Sequence, residues 1–267
     1  MAVNSLTPIL LQMKSAIVGT PVERLGLMLR WGLNARQRYK HPELWSLYLE
    51  ERCGEAILRK VMKANSCAVD VGAHIGSVTN LLRTIAPQGH HIAIEPSSRK
   101  ASWLTRKFPD VEVHCVAASD QDGVAYFDGD LEYWRCGRLS SATTSHEVQT
   151  RRLDTIICDR RVDLIKVDVE GFELNVLRGA TLTISKHQPT LLFECGSEYE
   201  LLERDISRRA LYDFLTDEVG YSIQSYADFL FGKGPMQFDE FRRCGLYPFR
   251  AFNFVALPYA TALSPAG

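Results

Sequence analysis

The sequence predicts an α/β fold with a mostly parallel, doubly wound sheet covered by helices on both faces. From residue 67 onward, short apolar runs alternate with amphipathic helical segments, and a series of such βα units forms a parallel sheet. The last two apolar runs, 221–226 and 252–257, show no helical pattern between them, so we expect them to pair antiparallel. The 267 residues, 46% of them hydrophobic, suffice for one large core of this kind.

Individual elements follow from the spacing of the apolar residues. Five runs are predicted to be parallel strands: 67–71, 91–94, 111–116, 164–169 and 190–193. Four helices are predicted where apolar residues recur at spacings of three and four: 78–85, a helix around Trp103, 173–184 and 211–219. Two further extended runs, 124–127 and 148–153, flank a Ser/Thr-rich stretch and are predicted to form an insertion at one edge.

The first 60 residues differ from the rest and are predicted to form a helical extension to a domain at residues 61–260. Apolar residues within 6–17 and 25–29 follow helical spacing, and residues 1–40 hold six basic side chains against one acidic one. A basic amphipathic segment can bind a membrane surface or a partner. We favour a helical cap that packs on the main domain and keeps its basic face in water.

Composition argues against several classes of protein. The formal net charge is −1, so no global field attracts nucleic acid, and no apolar run approaches the roughly 18 residues of a membrane span. The seven cysteines are odd in number and scattered, without the close pairs of a zinc site or a disulfide framework. We therefore expect a cytoplasmic protein that does not bind nucleic acid and is not inserted in a membrane.

Ligands of such sheets bind beyond the carboxyl ends of the strands. We therefore expect the chemistry at five strand ends: 70–76, Glu95, 117–120, 168–171 and Glu194.

A glycine turn follows the first predicted strand and reads Asp70-Val-Gly72-Ala-His74-Ile-Gly76. Glycine lets the backbone approach a ligand closely and adopt positive φ angles without a Cβ penalty. The G-x-x-x-G spacing differs from the G-x-G-x-x-G of dinucleotide sites. An acidic residue in this turn repels phosphate but suits a cationic ligand, such as the amino group of S-adenosylmethionine. A tight turn without any ligand is the alternative.

Two further strand ends add candidate cofactor contacts. Glu95 ends the second strand, where a carboxylate can accept both ribose hydroxyls of an adenosine-containing cofactor, and Pro96 stiffens the strand exit. Ala118, Ser119 and Asp120 follow the third strand, where small residues and an acid can border an adenine. Neither strand end predicts a cofactor site by itself, but together with the glycine turn the two predict one.

The densest group of ionisable residues lies on the fourth predicted strand. Lys166, Asp168 and Glu170 alternate with apolar residues, so on a strand all three side chains point to the same side. The apolar neighbours predict a central, buried strand, and burying several charges is costly unless they pair or bind a ligand. These three residues are therefore candidates for acid–base or orienting work.

Taken together, these segments resemble the FkbM family of S-adenosylmethionine-dependent methyltransferases. The resemblance covers about 67–195 and is most specific in Lys166-Val-Asp-Val-Glu-Gly-Phe-Glu173, which is followed by 177–180. Leu153-Asp154 and Phe193-Glu194 also fit the pattern. One difference is visible, because His74 stands where the family's glycine turn usually holds Asn. Imidazole can still donate a hydrogen bond there.

The resemblance implies a class I methyltransferase fold of Rossmann-like type, and methyl transfer to a hydroxyl oxygen of a sugar, polyketide or other small metabolite. It implies that Asp70 and the backbone of 72–76 hold the methionine end of S-adenosylmethionine. Glu95 would hold the ribose, and 118–120 would lie near the adenine.

The implied reaction needs a base for the hydroxyl proton. Asp168 and Glu170 are the first candidates for that base, with Lys166 orienting or pairing with one of them. No further ligands are placed by spacing for a divalent ion, so we predict no metal site.

Other functions stay open at this point. A nicotinamide-dependent oxidoreductase is disfavoured by the glycine spacing and by Asp70, and a non-catalytic protein could bind a cofactor or a partner through the same fold. The acceptor pocket is expected to involve 1–60, 128–150 and 226–250. The last of these is rich in aromatics, which fits an apolar or sugar-stacking wall, a lid, or the contact of a homodimer.

Overall fold

The computed structural model describes residues 16–20, 22–33, 35–128, 138–139, 146–203 and 206–259. In chain order, its strands are β1 (Ala68–Val71), β2 (His91–Ile94), β3 (Glu112–His114), β4 (Ala117–Ala118), β5 (Gly123–Asp128), β6 (Arg138–Leu139), β7 (His146–Arg151), β8 (Leu164–Val167), β9 (Thr190–Glu194), β10 (Tyr221–Ser225) and β11 (Asn253–Pro258).

Helices occupy most of the remaining described chain. In order they are α1 (Glu23–Leu33), α2 (Ala35–Lys40), α3 (Trp45–Val61), α4 (Ser77–Ile85), α5 (Ser98–Lys107), α6 (Leu153–Ile157), α7 (Glu173–Arg178), α8 (Thr181–His187), α9 (Glu198–Glu203), α10 (Arg208–Asp213), α11 (Tyr226–Leu230) and α12 (Phe238–Cys244). A 3-10 turn at Pro42–Leu44 precedes α3, and a π-helical turn at Phe214–Glu218 follows α10.

The main sheet has the strand order β10-β11-β9-β8-β1-β2-β3 in the described part of the chain. Strands β3, β2, β1, β8 and β9 run parallel, whereas β11 is antiparallel to both of its neighbours, β9 and β10. This is the class I methyltransferase fold, and it confirms the predicted fold class. The strand order reverses between β1 and β8, which is where ligands bind in doubly wound sheets.

The central strands are buried on both faces because helices cover both sides of the sheet. Val69 and Val71 of β1 pack with the cluster that includes α7 and α8, whereas Ala68 faces Leu58 of α3 and Leu82 of α4. Continuous apolar runs are typical of such two-sided burial. Because side chains alternate along a strand, Asp70 lies on the same face of the sheet as Ala68. This face therefore carries a polar side chain near the end of β1, where the site lies.

Helix α3 is tied to the sheet at the same edge as the strand ends. The Glu50 carboxylate accepts hydrogen bonds from the Phe252 and Asn253 amides at 2.8 and 3.1 Å, and from the Asn253 side chain at 2.8 Å. Burial raises the pKa of Glu50, and these hydrogen bonds oppose that shift. The predicted division at residue 60 stays a prediction, and residues 1–15, 21 and 34 lie outside the described ranges.

Two element predictions need correction. The run predicted as one helix over 173–184 is two helices, α7 and α8, because the chain turns at Gly179. The Gly179 carbonyl accepts the Asp154 amide at 2.9 Å, and a Cβ on this glycine would lie 1.9 Å from the Ser119 carbonyl oxygen. The last two strands do pair antiparallel, but α11 and α12 lie between them, so the reason given for that pairing was wrong.

A second sheet carries the predicted insertion. Its strand order is β4-β7-β5-β6 within the described residues, with β5 antiparallel to β7 and β4 parallel to β7. The predicted third strand, 111–116, is shorter in the structure, where β3 covers Glu112–His114, and β4 of the second sheet begins just after the predicted run, at Ala117. Residues 129–137 and 140–145, which include most of the Ser/Thr-rich stretch, lie outside the described ranges. In the ranges that are described, none of the helices has the length and apolarity needed to cross a bilayer.

Asp154, which the family pattern includes, joins two helices. Its carboxylate accepts hydrogen bonds from the Leu182 and Thr183 amides and from the Thr183 hydroxyl at 2.9–3.2 Å, and it pairs with Arg152 at 2.9 Å.

We expect Asp154→Ala to lower the free energy of unfolding by about 2–3 kcal/mol, because it leaves these donors without partners. Urea denaturation measures this loss. Asp159→Ala is the matched control, since that side chain is 94% exposed and its removal should leave stability unchanged. Equal losses in both variants would contradict the assignment.

Candidate active site

A cavity of about 310 Å³ opens at the carboxyl ends of β1, β2, β8 and β9. Its position is the one expected from the reversal of strand order. Of the predicted site residues, nine line it: Asp70, Gly72, His74, Glu95, Pro96, Ala118, Lys166, Asp168 and Glu170. The other three, Gly76, Ser119 and Asp120, are outside its lining.

Asp70 lies at the floor of the cavity and is 1% exposed. One carboxylate oxygen, Oδ2, accepts a hydrogen bond from the Thr79 hydroxyl at 2.6 Å. The other, Oδ1, is buried and has no hydrogen-bond partner in the described part of the chain. Burial raises the pKa of Asp70, and the Lys166 ammonium opposes that shift. An unpartnered buried oxygen of this kind is suited to a ligand donor.

The glycine turn has the backbone conformation that its sequence predicts. Gly72 and Gly76 both have φ near +81°, and a Cβ at Gly72 would lie 1.8 Å from the Asp168 carbonyl oxygen. The turns after β1 and β8 are therefore in direct backbone contact. Gly76 instead faces the side chains of Leu104 and Phe108, and precedes the first residue of α4.

His74 adopts a left-handed conformation, with φ of +52°, that is uncommon for a residue with a side chain. Asparagine adopts this conformation more readily, which is consistent with the family's usual residue at this place. The His74 amide donates to Glu95 Oε2 at 2.9 Å. The turn is thus held against the end of β2.

Glu95 is buried, and both of its carboxylate oxygens are oriented by backbone amides. Oε2 accepts from His74 and Oε1 accepts from Ser97, at 2.9 and 3.0 Å. Burial raises the pKa of Glu95, whereas the Lys100 ammonium and the two amides lower it. The carboxylate therefore faces the cavity in a fixed orientation.

Lys166 and Asp168 form the central ion pair of the site, with Nζ 2.7 Å from Oδ2. Lys166 is opposite Asp70 in the parallel register of β1 and β8, so its ammonium also attracts that carboxylate. Burial lowers the pKa of Lys166, but the charges of Asp168 and Asp70 outweigh it and the net shift is upward. Burial likewise raises the pKa of Asp168, and Lys166 reverses that shift to a net lowering.

Glu194, at the end of β9, is the ionisable residue whose role the sequence left unassigned. It lines the cavity, and its side chain forms a hydrogen bond with Asp168. Its position at a strand end was the available signal, but its partner depends on the β8–β9 pairing. Ser77, Lys100 and Phe172 also line the cavity without having been predicted. The Ser77 hydroxyl is buried and has no partner among the described residues.

The strand alternation that grouped Lys166, Asp168 and Glu170 ends earlier than predicted. Strand β8 stops at Val167, and Glu170 has a left-handed φ of +56° in the following turn. This turn is held by Glu173, whose Oε1 accepts the Val169 and Gly171 amides at 3.2 and 3.0 Å. Glu170 reaches the cavity through that turn and not through strand periodicity. In the described ranges, no group of three or more His, Cys, Asp or Glu side chains is arranged to hold a metal ion.

Residues 70–223 match the sequence model of the methyltransferase FkbM domain. The chain belongs to the FkbM methyltransferase family. This confirms the resemblance carried by the glycine turn and the 166–173 segment, both of which lie in the matched range.

Individual relatives of this FkbM family member are distant. The chain is 26% identical over 183 residues to the 2-O-methyltransferase NoeI of Sinorhizobium fredii, which covers 60% of this chain and 74% of NoeI. It is 28% identical over 148 residues to Methyltransferase 1 of Beauveria bassiana, covering 43% and 58% of the two chains.

A solved structure with a similar fold is the FkbM methyltransferase of Methylobacillus flagellatus. The identity is 20% and the TM-score 0.46, and the match covers 73% of this chain. This chain spans 44% of the length of that protein.

Glu173 makes the stability of this FkbM domain depend on pH. Burial raises the pKa of Glu173 to about 7 from an ordinary value of 4.5. The folded protein therefore binds more protons than the unfolded chain in this range. The stabilisation is fully present below about pH 4.5 and is lost as pH rises to 7.

We expect the stability of the wild-type protein relative to Glu173→Gln to fall across that range, by at most about 1.4 kcal/mol per pH unit. Glutamine keeps an acceptor for the two amides but does not titrate. Urea denaturation at several pH values measures the difference. A difference that stays constant with pH would contradict the raised pKa.

Proposed function

We propose that this FkbM methyltransferase uses S-adenosylmethionine to methylate a hydroxyl oxygen of a sugar or another small metabolite. The observation that carries the proposal is the charge of the cavity. Among the described residues, its lining contains five carboxyl groups and two ammonium groups, those of Lys100 and Lys166. Such a surface attracts a cationic ligand and repels the pyrophosphate of a nicotinamide dinucleotide.

The residues present fit the methyl donor at three places. Asp70 Oδ1 and the Ser77 hydroxyl are buried polar atoms without partners among the described residues, and both line the cavity. We assign Asp70 to the amino end of the cofactor and Glu95 to the ribose. Ala118 and Pro96 supply apolar surface for the adenine.

The choice of a hydroxyl acceptor is supported by one relative and by one pair of side chains. NoeI is by name a 2-O-methyltransferase, and it covers more of this chain than Methyltransferase 1 of Beauveria bassiana does. The carboxyl groups of Asp168 and Glu194 are adjacent in the cavity and provide an acceptor for the hydroxyl proton that this reaction releases. A non-catalytic binding protein has no need for such a pair.

The reaction we propose depends mainly on positioning. When bound, S-adenosylmethionine supplies a methyl group that is already activated by a sulfonium charge, so little further activation is needed. Asp168, with its side chain 36% exposed to the cavity, accepts the proton of the acceptor hydroxyl. Lys166 orients Asp168 by its hydrogen bond and keeps that carboxylate ionised.

Cofactor binding is tested by isothermal titration with S-adenosylhomocysteine. We expect micromolar or tighter binding by the wild-type protein, and a loss of about tenfold or more in Asp70→Asn, because an amide cannot replace the charge. Asp110→Asn is the matched control, since that carboxylate pairs with Arg83 on the surface away from the cavity. Absence of binding to the folded wild-type protein would contradict the proposed function.

The base is tested separately from cofactor binding. We expect Asp168→Asn to bind S-adenosylhomocysteine within a few-fold of the wild-type protein, and to transfer methyl groups about a hundredfold more slowly or less. Release of S-adenosylhomocysteine in a screen of hydroxylated metabolites measures the transfer. Near-normal turnover in this variant would exclude Asp168 as the base.

A further inference from the structure

Asp168 and Glu194 are two acids brought together by the pairing of β8 with β9. These strands are parallel neighbours with Val167 opposite Phe193, so the next residue along each segment brings a carboxyl group to the same place. Both carboxyl groups line the cavity, and they interact directly. Two ionised carboxylates in contact repel each other, so the pair favours holding one proton between them.

The proton is on Glu194. Lys166 donates to Asp168 Oδ2 at 2.7 Å, which favours the ionised form of Asp168. Burial, the bond to Asp168 and the nearby charge of Glu170 all raise the pKa of Glu194, and Lys166 opposes them. Glu194 is then the donor and Asp168 the acceptor.

The proton affinity of the pair depends on the charges that face it. Among the described residues, the ionisable groups that interact with the two acids are Lys166 of β8, Glu170 of the next turn, Asp70 of β1, His74 of the glycine turn, Glu173 of α7, Tyr226 of α11 and the thiol of Cys195. Four of these are carboxyl or phenol groups, so the pair has few cations near it. A further cation in the cavity would lower the affinity of the pair for its proton.

We propose that the Asp168–Glu194 pair is a proton acceptor that becomes available when the methyl donor binds. The pair gives up the Glu194 proton when a sulfonium cation occupies the cavity, and it takes up the proton of the acceptor hydroxyl when that cation is lost. This inference rests on the proposed function and adds Glu194 to the base.

The charges and atoms balance in this scheme. The acceptor oxygen forms a bond to the methyl carbon, the carbon–sulfur bond breaks, and its electron pair stays on sulfur. The sulfonium charge disappears, and the hydroxyl proton passes to Asp168 and is held by Glu194. The cavity therefore has the same net charge before and after transfer, so no additional charge has to be buried during the reaction.

The test counts protons and needs no acceptor. Isothermal titrations in two buffers with different ionisation enthalpies give the number of protons exchanged when a ligand binds. S-adenosylmethionine carries the sulfonium and S-adenosylhomocysteine has a neutral sulfur at the same place. Both are titrated at about pH 6.5, below the usual range of α-amino groups, so that the ligands themselves stay protonated.

We expect S-adenosylmethionine to release up to about one proton more than S-adenosylhomocysteine from the wild-type protein. In Glu194→Gln this excess should vanish, because the amide has no carboxyl proton to give up. Glu173→Gln is the matched control. It also removes a buried acid with a raised pKa, but that acid is outside the cavity lining, so the excess should remain.

The outcomes separate this inference from the proposed function. If neither ligand binds, both are overturned. If both ligands bind with equal proton counts, or if Glu194→Gln still shows the excess, the proton-exchange inference fails while the cofactor assignment stands. The difference in proton release between the two ligands is measured on the wild-type protein. It therefore tests the proton-exchange inference even if Glu194→Gln does not fold.

Discussion

The buried ammonium of Lys166 is the interaction on which the rest of the site depends. It lies beside Asp70 in the strand register and donates to Asp168, so it compensates two carboxylates from neighbouring strands. Buried ionised groups are tolerated only when they are paired and hydrogen-bonded. Without this ammonium, the sheet would bring acids from three adjacent strands to one cavity with little to offset their repulsion. The strand order thus brings the carboxylates together, and the Lys166 ammonium compensates their charge.

The second constraint is the close contact between two turns. The approach of Gly72 to the Asp168 carbonyl means that the segments after β1 and β8 cannot move independently. Each turn also holds one non-glycine residue at positive φ, His74 and Glu170, and such conformations persist only where the surroundings enforce them. Backbone amides supply that enforcement, through Glu95 on one turn and Glu173 on the other.

Much of this arrangement could be predicted from the sequence because its causes are local. The buried central strands are continuous apolar runs, and the glycine turn has its own signature. The missing parts depend on contacts between distant segments. The break at Gly179 brings that glycine against the distant Ser119 carbonyl, and the contact between Glu194 and Asp168 arises from the pairing of β8 with β9. Strand periodicity alone grouped Glu170 with Lys166 for the wrong reason, since β8 ends before that residue.

The second sheet has a consequence for how this domain can diversify. Strands β4 and β7 are parallel neighbours, with Ala118 opposite Arg151, so the chain leaves the main domain and returns to it at almost the same point. Adjacent strands lie only about 4.8 Å apart. The intervening segment can therefore be lengthened, shortened or exchanged between homologues without moving β1 or β8. Evolution can then alter that segment as a separate module, while the carboxylates at the strand ends keep their positions.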